Sequence, residues 1–268
     1  MGGESPAFFG DEVDPQGLRG GRLVANGPLT AMACLAEHSR VLSRLFVTRS
    51  PNAKGFVRMK MQRLGVWSEV EVDDFVPCAP KGEPLGMRAE DGTLWPSMLE
   101  KGLAKTCGSY VGMCRLGVGE TLQMLTGCPV EEVGTSEGEG SLGEGLWAKM
   151  KAAVGRGWGV AAEPRGGGTG AAVLRLAEAE GHRLVALRDV FGTVVEGGWA
   201  EGSPQWTKSM RAAVAPQFEG GEVWLELSEL VAWAGRLWVV KLWKWQQAGL
   251  RGRMVRAVDQ GGSRPSAF

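Results

Sequence analysis

Five cysteines and two histidines are the side chains of this chain best suited to covalent or metal chemistry: Cys34, Cys78, Cys107, Cys114 and Cys128, with His38 and His182. A thiol attacks as its thiolate, and a helix N-terminus with a nearby imidazolium favours that form. Cys34 sits in the apolar run Ala33-Cys34-Leu35-Ala36. That places it inside an expected helix, past the first turn where the helix dipole acts. It reads as a buried core thiol. His182 lies between Gly181 and Arg183 and reads as an exposed turn residue leading into a strand. Cys107 and Cys114 flank Gly-Ser-Tyr with no histidine nearby in sequence and read as structural. No Cys-x-x-Cys pair occurs, and two histidines do not complete a zinc site. The odd, sparse cysteine count suits a reducing compartment rather than a disulfide framework. Arg165-Gly-Gly-Gly-Thr-Gly170 lacks the Lys-Ser/Thr ending of a phosphate loop and reads as a surface loop.

The elements that must position these groups follow from periodicity. Pro28 after Asn26-Gly27 opens a helix expected to Leu45, with a break near Ser39. Phe56 to Val72 alternates around Gly65 and predicts a half-buried β-hairpin. Leu94–Cys107 is an amphipathic helix capped by Gly108, and Glu120–Leu125 a shorter one. Glu131 to Glu144 is rich in glycine and acid and reads as a flexible link. A helix over Gly143–Val154 follows. Strands are then expected over 157–162, 171–177, 183–189, 222–226 and 237–243, with a helix at Leu227–Trp233. Four segments result: an arm over 1–20, a helical lobe with hairpin over 21–142, an antiparallel sheet lobe over 143–245, and a basic, polar tail over 246–268. Trp243 and Trp245 share one face of the last strand, where they could dock a partner chain.

The chain has 268 residues, enough for a substantial core, and its Lys+Arg and Asp+Glu both number 30. A formal net charge of +0 gives no bulk field to gather nucleic acid or anionic lipid. Arg251, Arg253 and Arg256 in the tail make only a weak phosphate footprint. No run of about 18 apolar residues is present to span a bilayer, and the first 20 residues do not form a secretory signal. We expect an intracellular protein that binds neither nucleic acid nor membrane.

Several blocks, in order, resemble the calpain catalytic domain. They are Gly55-Phe-Val-Arg58; Val72-Asp-Asp-Phe-Val-Pro77; Trp95-Pro-Ser-Met-Leu-Glu-Lys-Gly-Leu-Ala-Lys105 with Gly108-Ser-Tyr110; Leu125-Thr-Gly127; Gly192 to Trp206 with Trp199; and Gly221-Glu-Val-Trp224. The resemblance spans roughly Leu18 to Trp243. It implies an α+β, papain-like fold, with a helical first lobe and an antiparallel β-sheet second lobe.

The resemblance also implies where the catalytic groups fall. Read without gaps on Gly27 to Ala36, the nucleophile motif puts Leu29 in the cysteine's place and Leu23 at the oxyanion-hole glutamine. The general-base histidine falls at Ala171 in Gly170-Ala-Ala-Val173, and the orienting asparagine at Asp189. Leucine has no nucleophile, alanine no proton acceptor, and Leu23 offers no donor to an oxyanion. The family's calcium ligands fall near Glu120, Glu201 and Glu222, with neighbouring acids replaced, so no tight calcium site and no other cofactor is expected. The expectation from these residues is a chain that is not an enzyme: a structural, scaffolding subunit binding other proteins of a larger assembly. The resemblance places such an assembly in the cytoplasm, in the cytoskeleton or a ciliary or flagellar axoneme. The alternative is an active calcium-dependent cysteine endopeptidase using Cys34.

Overall fold

The computed structural model describes residues 8, 13–23, 25–50, 52–135, 142–189, 197–218 and 221–242. Its helical half is built from α1 (Asn26–Ala36), α2 (Ser39–Leu45), α3 (Trp95–Thr106), α4 (Tyr110–Met113) and α5 (Val118–Thr126), around the hairpin β2 (Phe56–Arg63) and β3 (Val66–Asp73). Two short strands, β1 (Leu18–Arg19) and β4 (Arg88–Ala89), pair antiparallel beside it. The other half is one antiparallel sheet of six strands: β5 (Val130–Gly134), β6 (Gly159–Pro164), β7 (Ala171–Ala179), β8 (His182–Arg188), β9 (Glu222–Glu226) and β10 (Ala234–Val240). Their order across the sheet is β5-β10-β6-β7-β8-β9. Helices α6 (Leu142–Gly155), α7 (Lys208–Val214) and α8 (Leu227–Trp233) accompany it.

Local chemistry explains the boundaries. The expected break near Ser39 is real: residues 37 and 38 form a turn between α1 and α2. Helix α5 starts where the Glu120 carboxylate accepts the Gly117 N–H at 3.1 Å and stops at Gly127, whose φ of 64° continues no helix. Helix α8 opens similarly, with Glu229 accepting the Glu226 N–H at 2.7 Å. In the hairpin, Val57, Met59 and Met61 are buried, while Lys60 and Arg63 face water. Gly102 of α3 lets the helix lie on that methionine row, since a Cβ there would come within 2.3 Å of the Met59 sulfur.

The sheet divides two cores. Ala161, Ala172 and Val240 pack with α1, α3, α5 and the hairpin. Val160, Ala162, Ala171, Val173 and Leu237 pack under α6 and α8. Alternation along β6 and β7 does this, with alanines where α1 comes close. A smaller cluster holds Trp199, Trp206 and Trp224, with Trp199 and Trp206 edge-to-face at 4.9 Å.

Four sequence expectations need correction. The stretch from Glu131 is not a free link: β5 pairs with β10 through Glu131↔Val239 and Val133↔Leu237. Edge position and two acidic residues hid its strand character. Residues 136–141 of that stretch lie outside the described residues. The last strand begins at Ala234, earlier than expected. Its expected end at Trp243, the face shared by Trp243 and Trp245, and the tail with Arg251, Arg253 and Arg256 also lie outside the described residues. Helices α4 and α7 were not anticipated. Finally, His182 is the first residue of β8, not a turn residue. Its Nδ1 lies 3.1 Å from a Glu226 carboxylate oxygen, and its ring stands edge-on to Trp199 at 4.9 Å.

Candidate functional site

The two halves meet where the start of α1 abuts the start of β7. Thr30 and Asn26, one helical turn apart, face the sheet. The Gly170 N–H donates to the Thr30 hydroxyl at 2.8 Å. That hydroxyl donates its one proton in turn to the Asn26 carbonyl at 2.8 Å. The Thr169 hydroxyl donates to the Asn26 side-chain oxygen at 2.8 Å. Gly170 is required here: a Cβ would lie 2.1 Å from the Ala162 carbonyl oxygen. A second tie lies at the far end of α1, where the largely buried guanidinium of Arg188 on β8 pairs with Glu37.

The sequence-derived catalytic positions fall around this junction. Leu29 is buried in the core of the helical half, and its N–H already bonds the Ala25 carbonyl at 2.9 Å. Ala171 is buried in the other core, under α6. The side chains of Leu29 and Ala171 therefore belong to separate cores; their chain neighbours Thr30 and Gly170 make the contact. Asp189 follows β8. Continuing the Ala172↔Arg188 register by one residue sets it across from Ala171. It is buried, and its N–H donates to the Gly221 carbonyl at 3.0 Å. Leu23 lies before α1, its N–H bonded to the Leu85 carbonyl at 3.2 Å.

The helix tip, where a thiolate would feel the dipole, is formed by Asn26 and Gly27. A Cβ on Gly27 would lie 2.2 Å from the Leu116 carbonyl oxygen, so this backbone leaves that position no side-chain space. The contacts of Thr30, Asn26 and Thr169 were missed in the sequence because they join residues 140 and 143 positions apart.

Cys34 lies two turns further along α1. It is buried, and burial, with the Glu37 charge behind it, pushes its thiol up to about 12. A Cβ at Gly159 would lie 2.9 Å from its sulfur and 3.5 Å from Nε2 of His38, so both side chains border that glycine. Burial holds the His38 imidazole below its usual value. Burial thus favours the neutral form of both groups. This arrangement does not supply the thiolate that the Cys34 alternative requires.

The calcium candidates are engaged separately. Glu120 caps its own helix. One oxygen of the buried Glu222 takes bonds from Arg175 at 3.0 Å, the Gln217 N–H at 2.9 Å and Trp224 Nε1 at 2.7 Å. Glu201 is exposed, and its carbonyl accepts from Arg211 at 2.9 Å. Among the described residues no group of three or more His, Cys, Asp or Glu is placed to hold a metal ion. These side chains do not fit a calcium cage as they stand.

The hairpin tip and α4 expose apolar side chains. Leu64 is 93% exposed, Val66 55% and, on α4, Val111 65%. A hollow of about 510 Å³ between the hairpin tip, α4 and α5 is bordered by Leu64, Cys107, Gly112, Leu116 and Met124. Among the described residues no helix is long and apolar enough to cross a membrane.

Comparison with known proteins agrees with the architecture. A family described as "Calpain family cysteine protease" matches residues 3–166. The chain is 31% identical over 240 residues to the calpain-type cysteine protease DEK1 of Arabidopsis thaliana, covering 82% of this chain and 11% of that protein. It is 30% identical to the DEK1 protein of Zea mays, with the same coverage. It is 24% identical over 296 residues to calpain-8 of Mus musculus, covering 96% of this chain and 41% of that protein. The chain thus spans only a minor part of the length of these relatives. Their names overturn the expectation that the chain is not an enzyme: the proteins it resembles along most of its length are named proteases.

Proposed function

Since this chain belongs to the calpain family of cysteine proteases, we propose that it engages other polypeptides of a larger assembly through the tip of its β2–β3 hairpin and the adjoining α4. The observation that carries this reading is Leu64. It is a leucine in the left-handed region (φ 50°), followed by Gly65 at φ 81°, in a two-residue hairpin turn. Such turns favour asparagine or glycine at the first position. A leucine there is held in a strained backbone and leaves its side chain in water, two costs that packing within this chain does not offset. Val66 and Val111 extend the apolar surface, and the hollow beside Leu64 gives a partner's side chain a place to enter.

A scaffolding role is the form of this reading that the hairpin supports. The cytoskeletal or ciliary setting rests on the sequence resemblance alone, and no described residue adds to it. The test is Leu64→Asn in the full chain. Asparagine tolerates the turn, so the fold is retained. Tagged wild-type chain is expected to co-purify partner proteins from its native source, with recovery several-fold lower for the variant. Equal recovery by both would end the proposal.

A further inference from the structure

A second hollow, of about 570 Å³, opens between α2, α5 and the hairpin. Val41, Leu45 and Leu125 form its floor, with Trp67, Arg44 and Glu69 at its rim. It shares no lining residue with the hollow beside Leu64, and Trp67 forms one wall. The Trp67 ring rests on the C-terminal end of α5: a Cβ at Gly127 would lie 2.7 Å from Cζ2 of that ring.

The end of the sheet lies close by. The Lys241 N–H donates to the Pro129 carbonyl at 3.0 Å, and Leu242 packs against the same core as α5. Pro129 is two residues from Gly127, so their Cα atoms are within about 8 Å of each other. The chain then continues Trp243-Lys-Trp245-Gln-Gln-Ala-Gly-Leu250. These eight residues have a reach of about 25 Å when extended. Large apolar side chains at 243 and 245 lie on one side of an extended segment.

We infer that the chain's own segment Trp243–Trp245 docks in this hollow, with an indole against Trp67 and the Val41–Leu45–Leu125 floor. Two features select this occupant over a partner. The segment leaves the sheet beside the hollow. It carries two indoles in the first three residues of its reach. Tethering raises the effective concentration of the segment to a level a free ligand seldom reaches.

The test is limited trypsin digestion of the full chain, read by mass spectrometry. Docking shields the bond after Lys244, while those after Arg251 and Arg253 serve as internal references. In the wild type, cleavage after Lys244 is expected to be about tenfold slower than after Arg253. Trp243→Ser/Trp245→Ser should remove that protection. Ser68→Arg, an exposed substitution at the mouth of the hollow, should do so with the tail sequence intact. Equal rates at Lys244 and Arg253 in the wild type would overturn the inference. So would protection that survives Ser68→Arg, or protection that appears only as protein concentration rises, which would place a second copy in the hollow.

Discussion

Thr30 on α1 and Gly170 before β7, 140 positions apart in sequence, are joined by a hydrogen bond of 2.8 Å that ties the helical half of the protein to its sheet. The Thr30 hydroxyl is a relay: it accepts from Gly170 and donates to the Asn26 carbonyl. Thr30→Val keeps the shape and leaves the buried Gly170 N–H without its acceptor. We expect a loss of about 1–3 kcal/mol, the cost of an unsatisfied buried donor. Thr30→Ser, which restores the hydroxyl, should recover most of it. Chemical denaturation of the three proteins decides this; a Val variant as stable as wild type would contradict the relay.

Gly27 is a steric counterpart at the same helix start. A Cβ there meets the Leu116 carbonyl oxygen at 2.2 Å, a backbone atom that cannot rotate aside. Gly27→Ala should lower stability by about 1–3 kcal/mol or more, as overpacking does, despite alanine's better helix propensity. Gly145 on α6 has no neighbour near its would-be Cβ and is the control. Gly145→Ala should be neutral or stabilising by up to about 1 kcal/mol. Thermal melts that rank the two variants in the opposite order would refute the packing argument.

Where sequence periodicity was strong, the fold was legible. The Val57–Met59–Met61 row, the Trp95–Thr106 helix with Gly108 behind it, and the alternating sheet strands follow from side-chain pattern alone. Helix α7 was missed because Lys208–Val214 is a short segment whose start is marked only by the Thr207 cap on Met210. Motif spacing pointed to Leu29 and Ala171, the chain neighbours of Thr30 and Gly170, which join the two halves. Only the pleat of β7 shows that Ala171 turns toward α6 while Ala172 turns toward α1. The junction contacts, Thr30–Gly170 and Glu37–Arg188, leave no local pattern, because each pairs residues with no periodic relation.

Glu100 makes stability depend on pH. It is 2% exposed on α3, with one carboxylate oxygen accepting the Met87 N–H at 2.9 Å and the other without a hydrogen-bond partner. Burial raises its pKa to about 7, opposed only in part by that bond. In the unfolded chain the group ionises near the ordinary glutamate value. The unfolded state therefore releases this proton first as pH rises. The stability associated with neutral Glu100 is complete below the unfolded pKa, falls as pH rises toward 7, and levels off above it. The total change is on the order of 3 kcal/mol. Glu100→Gln should flatten this part of the profile and gain relative to wild type above pH 7. Denaturation midpoints at intervals between about pH 4.5 and 8 measure it, and parallel profiles for the two proteins would exclude Glu100 as the source.

The cysteines should separate by burial when alkylated. Cys78 and Cys114 are exposed, whereas Cys34 is buried with its thiol raised to about 12. At pH 7.5 a thiol of that pKa is ionised to roughly one part in 30,000, against about a tenth for an ordinary exposed cysteine. Iodoacetamide should label Cys78 and Cys114 first, and Cys34 on the time scale of unfolding. Adding denaturant should bring Cys34 to the rate of the other two. Peptide mapping over a time course reads all three sites in one sample. Rapid, saturable modification of Cys34 in the native chain would mean that its thiol is exposed and ionised. It would also restore Cys34, with His38 bordering the same glycine, as a nucleophile–base pair.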